Sequence, residues 1–251
     1  MTVNRSGAVM TVIFTVMMFA LSIVCVSLGT WQLQRLSEKE ALIAAVDSRL
    51  GAAPTAVPTA DQWPSLDLDA MNYQPVTLTG AFRYNQTVTV FTSLTDARGP
   101  ASGPGYWVIT PFALTQGGTV FINRGFVPEE FQETAVTVSE GAENQVTITG
   151  LLRPSENAGF MTPEPDTSNR IEWVRNVERL SRMVDPGLAP IAPFYIDLPA
   201  GPTGQLPQGG ETVVEFPNNH LGYAFTWYGF AIVAVVMLGF WLWRQRHPTK
   251  G

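Results

Sequence analysis

Two long apolar runs frame this chain, and between them hydrophobic and polar residues alternate in short stretches. Ser6 to Gln34 is 29 residues without an acidic or basic side chain, and its Ala8 to Leu28 part is mostly apolar. Leu221 to Trp243 is 23 uncharged residues ending sharply at Arg244, with Trp241 and Trp243 where a membrane interface favours tryptophan. Roughly 20 apolar residues cross a bilayer as a helix, so spanning helices are predicted over 8–28 and 221–243. A cleaved signal peptide would end near Ala20-Leu21-Ser22, but the apolar residues continue to Leu28, which favours a retained helix. Further on, Leu36, Ile43, Val46 and Leu50 share one helical stripe, predicting that the first helix continues as an amphipathic stalk. Gly51 to Pro64, with Pro54, Pro58 and Pro64 among small residues, reads as an extended linker.

The middle of the chain has the period of strands. Val76, Leu78, Gly80 and Phe82 alternate with Thr77, Thr79, Ala81 and Arg83, and Val88 and Val90 alternate with threonines. Tyr106 to Leu114 and Thr119 to Val127 are β-rich runs joined through Gln116-Gly117-Gly118, where glycine supplies the positive φ of a tight hairpin. Gln145 to Leu152, Phe194 to Leu198 and Thr212 to Phe216 are further candidate strands. One helix is predicted among them, from Trp173, Val177, Leu180 and Val184 at helical spacing with Arg175, Glu178, Arg179 and Arg182 on the other faces. Gly103-Pro104-Gly105 lacks the lysine and the helix of a phosphate loop and reads as a turn. The expected fold is therefore a membrane protein whose two transmembrane helices flank a mainly antiparallel β (α+β) extracytoplasmic domain of roughly six to eight strands. Its divisions are an N-terminus 1–7, helix 8–28, stalk and linker 29–65, β-rich domain 66–217, helix 221–243 and tail 244–251.

Charge adds the orientation. The chain is 45% hydrophobic and 14% charged, too apolar for disorder, and its net charge of −6 gives no reason to expect nucleic acid as a partner. The average hides a partition, because residues 35–220 hold 11 Lys/Arg against 21 Asp/Glu, a net of −10, whereas the ends carry only Arg5, Arg244, Arg246 and Lys250. Basic residues beside a span resist translocation. The C-terminus is thus expected inside, two spans return the N-terminus to the same side, and the acidic section lies outside, although Arg35 and Lys39 blur the rule at the first helix. No Arg-rich, Ser-rich presequence precedes Ala8, which favours a bacterial inner membrane with a periplasmic domain over a mitochondrion. The single Cys25 excludes an internal disulfide and a cysteine-based copper site.

Three stretches carry a family resemblance: Leu28-Gly29-Thr30-Trp31-Gln32-Leu33-Gln34-Arg35 at the end of the first span, Thr110-Pro111-Phe112 with Asn123-Arg124-Gly125-Phe126-Val127-Pro128 in the domain, and Asn218-Asn219-His220-Leu221-Gly222-Tyr223-Ala224-Phe225-Thr226-Trp227-Tyr228-Gly229 opening the second span. In this order and spacing they resemble the Surfeit locus protein 1 family over nearly the whole chain. The linker and Glu129 to Asn144 match nothing in that pattern. The resemblance implies a two-span assembly factor for a haem-copper terminal oxidase, cytochrome c oxidase in most members and a quinol oxidase in some. It implies haem a as a transient cofactor, and as partners the oxidase large subunit, the haem a synthesis machinery and the lipid bilayer.

The residues themselves give that reading a site. His220 is the only histidine outside the short tail, placed at the outer mouth of the second span, and imidazole is a common haem and metal ligand. Tyr223, Trp227 and Phe230 follow at i+3, i+7 and i+10, an aromatic stripe on the histidine's face. The alternative is an interfacial histidine next to Asn219 as helix cap, with the aromatics as a membrane belt. Trp31, Gln32 and Arg35 end the first span on the same side; Arg35 either neutralises a haem propionate or anchors the helix at the interface. Arg124, between Asn123 and Gly125, either faces a partner or pairs with a local carboxylate, and Tyr228 belongs to the second-span motif. An enzyme is not expected: no histidine lies between Arg35 and Asn219, which excludes a Ser-His-Asp arrangement in the β domain, and Glu129 and Glu130 beside Pro128 read as a solvated loop. The rival to a haem chaperone is a cofactor-free scaffold that holds an oxidase subunit.

Overall fold

The computed structural model describes residues 5–137, 144–212, 214 and 216–247. Those of them within 1–45 and 215–251 form one compact unit, and those within 46–214 form another.

The first unit is a helix pair. Helix α1 (Arg5–Leu50) is continuous over 46 residues, about 69 Å at 1.5 Å per residue, more than twice the roughly 30 Å of a bilayer core. Its predicted stalk is therefore the same helix, and Leu36, Ile43, Val46 and Leu50 are among its less exposed positions. Helix α4 (His220–Arg246) starts at the histidine itself. Both helices are long and apolar enough to cross a membrane. The heptad spacing of buried Met18, Cys25 and Gln32 on α1 and of Ala224 and Ala231 on α4 marks the seam where the two meet. Alanines on α4 permit close approach, as small residues do between membrane helices. Elsewhere the pair exposes large apolar side chains such as Val12, Phe19, Ile232 and Phe240, a surface suited to lipid rather than water.

The second unit is a five-strand barrel with added edge strands. Strands β2 (Pro75–Phe82), β3 (Val88–Leu94), β4 (Gly103–Leu114), β5 (Thr119–Pro128), β6 (Val146–Pro154) and β8 (Ile191–Asp197) match the six expected strands before Thr212 to within a few residues. The ring runs β2, β6, β8, β5, β4 and closes by antiparallel pairing of Gly80 with Leu114 through Phe82 with Phe112. Short strands β1 (Thr55–Ala56) and β7 (Ile171–Glu172) lie parallel to β2 and β3, and β5 and β8 also pair in parallel. The remaining pairings are antiparallel, as expected of most of the sheet. Alternation works as predicted on β2: Val76 and Leu78 are buried, while Thr77 and Thr79 face outwards and meet Thr149 and Thr147 of β6 at 3.1 and 2.8 Å.

Inside the ring, Val76, Leu78, Phe112, Val120, Ile122, Leu152, Phe194 and Ile196 form the core. The stretch expected to be a linker joins it: Val57 and Trp63 are buried there, and Trp63 Nε1 donates to the Pro58 carbonyl at 3.0 Å. A second core lies on the outer face of β3, β4, β5 and β8, where Val177, Leu180, Met183 and Val184 cover Val90, Ile109, Phe121 and Tyr195. The helix expected there is shorter than its periodicity implies. Only α3 (Val177–Ser181) is helical, capped by Asn176, whose side chain accepts from the Arg179 amide, while Trp173 follows β7 and is exposed. Glu172 explains the shift, since its buried carboxylate takes both Arg179 Nε and Nη2 at 3.0 and 2.8 Å and holds the segment in a bend before the helix begins.

Gly103-Pro104-Gly105 opens β4 rather than forming a turn. Thr212, Val214 and Phe216 are not in a strand, and Val213 and Glu215 of that expected strand lie outside the described residues. So do 1–4, 138–143 of the unmatched segment and 248–251 of the tail. A six-residue helix α2 (Gln132–Thr137) follows β5 after one short turn of 3-10 helix.

Candidate functional site

The two helices are clasped at one end by polar side chains and along their length by apolar ones. His220 Nδ1 lies 2.7 Å from Gln32 Oε1, joining residues 188 apart in sequence. Two turns further along α4, the Tyr228 hydroxyl lies 3.2 Å from Thr30 Oγ1. The Tyr228 ring rests on Gly29, where an added Cβ would come within 2.8 Å of it. At the other end Phe14 meets Trp241 with ring centroids 4.9 Å apart. From Phe14 to Gln32 the seam rises about 27 Å along α1, close to the roughly 30 Å hydrocarbon thickness.

Past the His220 clasp, the same seam opens into an apolar groove of about 200 Å³ lined by Met18, Leu21, Cys25, Trp227, Phe230 and Met237, among others. Trp227 and Phe230 stand edge to face at 6.1 Å. Two of the three predicted stripe aromatics thus line a groove, whereas Tyr223 is 57% exposed. Asn219 occupies the cap position of α4 by its backbone alone: its carbonyl accepts the Tyr223 amide at 3.2 Å and its side chain makes no capping bond. Next to it, Asn218 Oδ1 is buried without a hydrogen-bond partner. Arg35, three residues past Gln32, pairs with Glu38 at 2.8 Å and lies 5.7 Å from the Trp31 ring centroid. That ion pair is exposed, so holding it together is worth little and Arg35 remains exchangeable.

The domain motif Asn123-Arg124-Gly125 does structural work. Asn123 is buried on β5, donates from Nδ2 to Asp197 Oδ1 at 2.8 Å, and accepts the Gly125 amide at 3.1 Å. Gly125 has φ of +128°, and a Cβ there would lie 2.3 Å from the Gln208 carbonyl oxygen, where that segment pairs with Phe126. Among the described residues Arg124 forms no ion pair with a carboxylate, the second of its two expected roles. Its guanidinium stands 4.9 Å from the Tyr84 ring centroid, and burial lowers its pKa.

Around Asp197 sits a polar cluster that periodicity does not reveal. Arg153 and Arg175 approach its carboxylate at 3.9 and 4.0 Å, Thr212 donates to it at 2.9 Å, and Arg175 also pairs with Glu156 at 2.6 Å. Burial would lower the Arg175 pKa, but Tyr195, Asp197 and Glu156 outweigh it and the pKa is raised. Burial also pushes the Tyr195 phenol upwards. An acid at the end of the apolar run Phe194 to Leu198 is the one sequence signal for this cluster. Its arginines are balanced by acids, so it locks the outer face of β6, β8 and β5 rather than offering free charge.

Among the described residues no three His, Cys, Asp or Glu side chains group to hold a metal ion. Compared with known proteins, the chain matches the profile of the SURF1 family over residues 19–232, a span that takes in the barrel, most of α1 and the first half of α4. It is 32% identical over 242 residues to a SURF1-like protein of Monosiga brevicollis, covering 91% of this chain and 86% of that one. To Surfeit locus protein 1 of Homo sapiens it is 33% identical over 218 residues, covering 81% and 69%. A SURF1-like protein of Rickettsia conorii is 25% identical over 232 residues, covering 89% and 88%.

Proposed function

The chain belongs to the SURF1 family, and from that premise we propose that it is a membrane-anchored assembly factor for a haem-copper terminal oxidase, holding haem a and aiding its transfer to the large catalytic subunit. The observation that carries the reading is the position of His220 at the polar end of a helix seam that continues into an apolar groove. Haem a is an amphipathic cargo, an iron-bearing apolar disc with a long hydrocarbon tail and two anionic propionates. His220 would ligate the iron, Trp227 with the groove residues would receive apolar parts, and Arg35, once released from Glu38, would neutralise a propionate. A groove of about 200 Å³ falls below the roughly 300–1,000 Å³ of enclosed ligand sites. Such a site holds its cargo on one face and leaves the other to the recipient, as delivery requires.

The remaining assignments follow from charge and connectivity. Arg244 and Arg246 at the end of α4 keep both chain ends cytoplasmic, so the acidic barrel lies in the periplasm of a bacterial inner membrane and recognises a protein partner. The chain makes and breaks no substrate bonds and is not an enzyme.

Deleting the gene in a host with no second copy should lower the haem a content of its oxidase while other respiratory complexes keep theirs. The parent chain should restore it, and His220→Ala, present in the membrane at the same level, should not. Full restoration by His220→Ala would favour a cofactor-free scaffold, and unchanged oxidase in the deletion strain would reject the assignment.

A further inference from the structure

We infer that Gln32 is a positioning residue that fixes the tautomer of His220 so that Nε2 presents its lone pair to a metal centre; the inference rests on the haem reading only for what binds there. The amide oxygen of a glutamine accepts hydrogen bonds and cannot donate them. With Gln32 Oε1 2.7 Å from His220 Nδ1, the proton of the neutral imidazole sits on Nδ1 and the free lone pair is on Nε2. The bond also sets the orientation of the ring. Gln32 is itself 9% exposed and belongs to the heptad of Met18 and Cys25, so the α1–α4 seam holds its side chain in place. One turn away, Tyr228 on Gly29 and Thr30 fixes the separation of the two helices. Metal-bound histidines are commonly held in this way, the second ring nitrogen donating to a carbonyl or carboxylate that orients the ring and raises its basicity. The first-span motif and the second-span motif thereby meet at one ring.

The test separates this inference from the haem reading. The described chain has two histidines, so the ¹⁵N spectrum of apo protein labelled at histidine is readable, and His220→Ala assigns the signals. His220 should show the Nδ1–H tautomer alone in the parent and in Gln32→Glu, which keeps an acceptor, and a mixture of tautomers in Gln32→Leu. With ferrous haem bound, the iron–histidine stretching frequency should rise in the order Gln32→Leu, parent, Gln32→Glu, and haem affinity should fall about 10- to 100-fold in Gln32→Leu. An Nε2–H tautomer in the parent, or a spectrum indifferent to Gln32→Leu, would overturn the inference. A parent with the Nδ1–H tautomer that binds no haem would sustain the Gln32 assignment and reject the haem reading instead.

Discussion

Single residues decide where this chain can be rigid, and Gly125 shows how. Its φ of +128° and the Gln208 carbonyl 2.3 Å from a would-be Cβ leave no room for a side chain. Strained backbone of this kind costs about 1–3 kcal/mol, and displacing Gln208 from Phe126 adds to it. Gly125→Ala should therefore lower barrel stability by about 2 kcal/mol or more, read from the denaturant midpoint of tryptophan fluorescence; an unchanged midpoint would show that the strand relaxes freely. At this scale the sequence exposes His220, because a histidine alone at the end of an apolar helix stands out. Its partner Gln32 does not stand out, since nothing local relates residues 188 apart. Arg124 was legible as a charge but not by its neighbour, because a stack on Tyr84 leaves no spacing signal.

Elements were legible where one face is wet and the other dry. Strand β2 shows it, alternating as a half-buried strand must, whereas β4 and β5 are buried along most of their length and were legible only as β-rich runs. Closure of the ring was not legible: the β5–β8 pair is parallel and β2 returns to β4 over only three registered positions. Helical spacing from Trp173 to Val177 was coincidental, the Glu172–Arg179 fork having set the bend first. Proline-rich residues 51–64 looked like a tether because composition reports stiffness and not burial. Their contribution is testable, since Trp63 is 6% exposed and packs edge to face on Phe194 at 6.2 Å. Trp63→Ala should destabilise the barrel by about 3–5 kcal/mol in equilibrium unfolding. A loss below about 1 kcal/mol would mean that the core closes without this segment, as expected for exposed surface positions.

For the whole molecule, an acidic barrel is inserted in sequence between two helices whose polar seam ends in His220. Histidine is absent from 36–219, so under the proposed function a histidine-ligated haem belongs to the helix pair and the barrel is left to recognise protein. That proposal stands or falls on whether His220 holds haem a. Its most direct test is the absorption spectrum of the full-length chain purified in detergent from cells that make haem a. Haem a bands at about one haem per chain are expected in the parent, as for a single ligand histidine, with those bands lost or shifted in His220→Ala and unaltered in His247→Ala. A colourless parent, or the same spectrum and haem content in His220→Ala as in the parent, would contradict it.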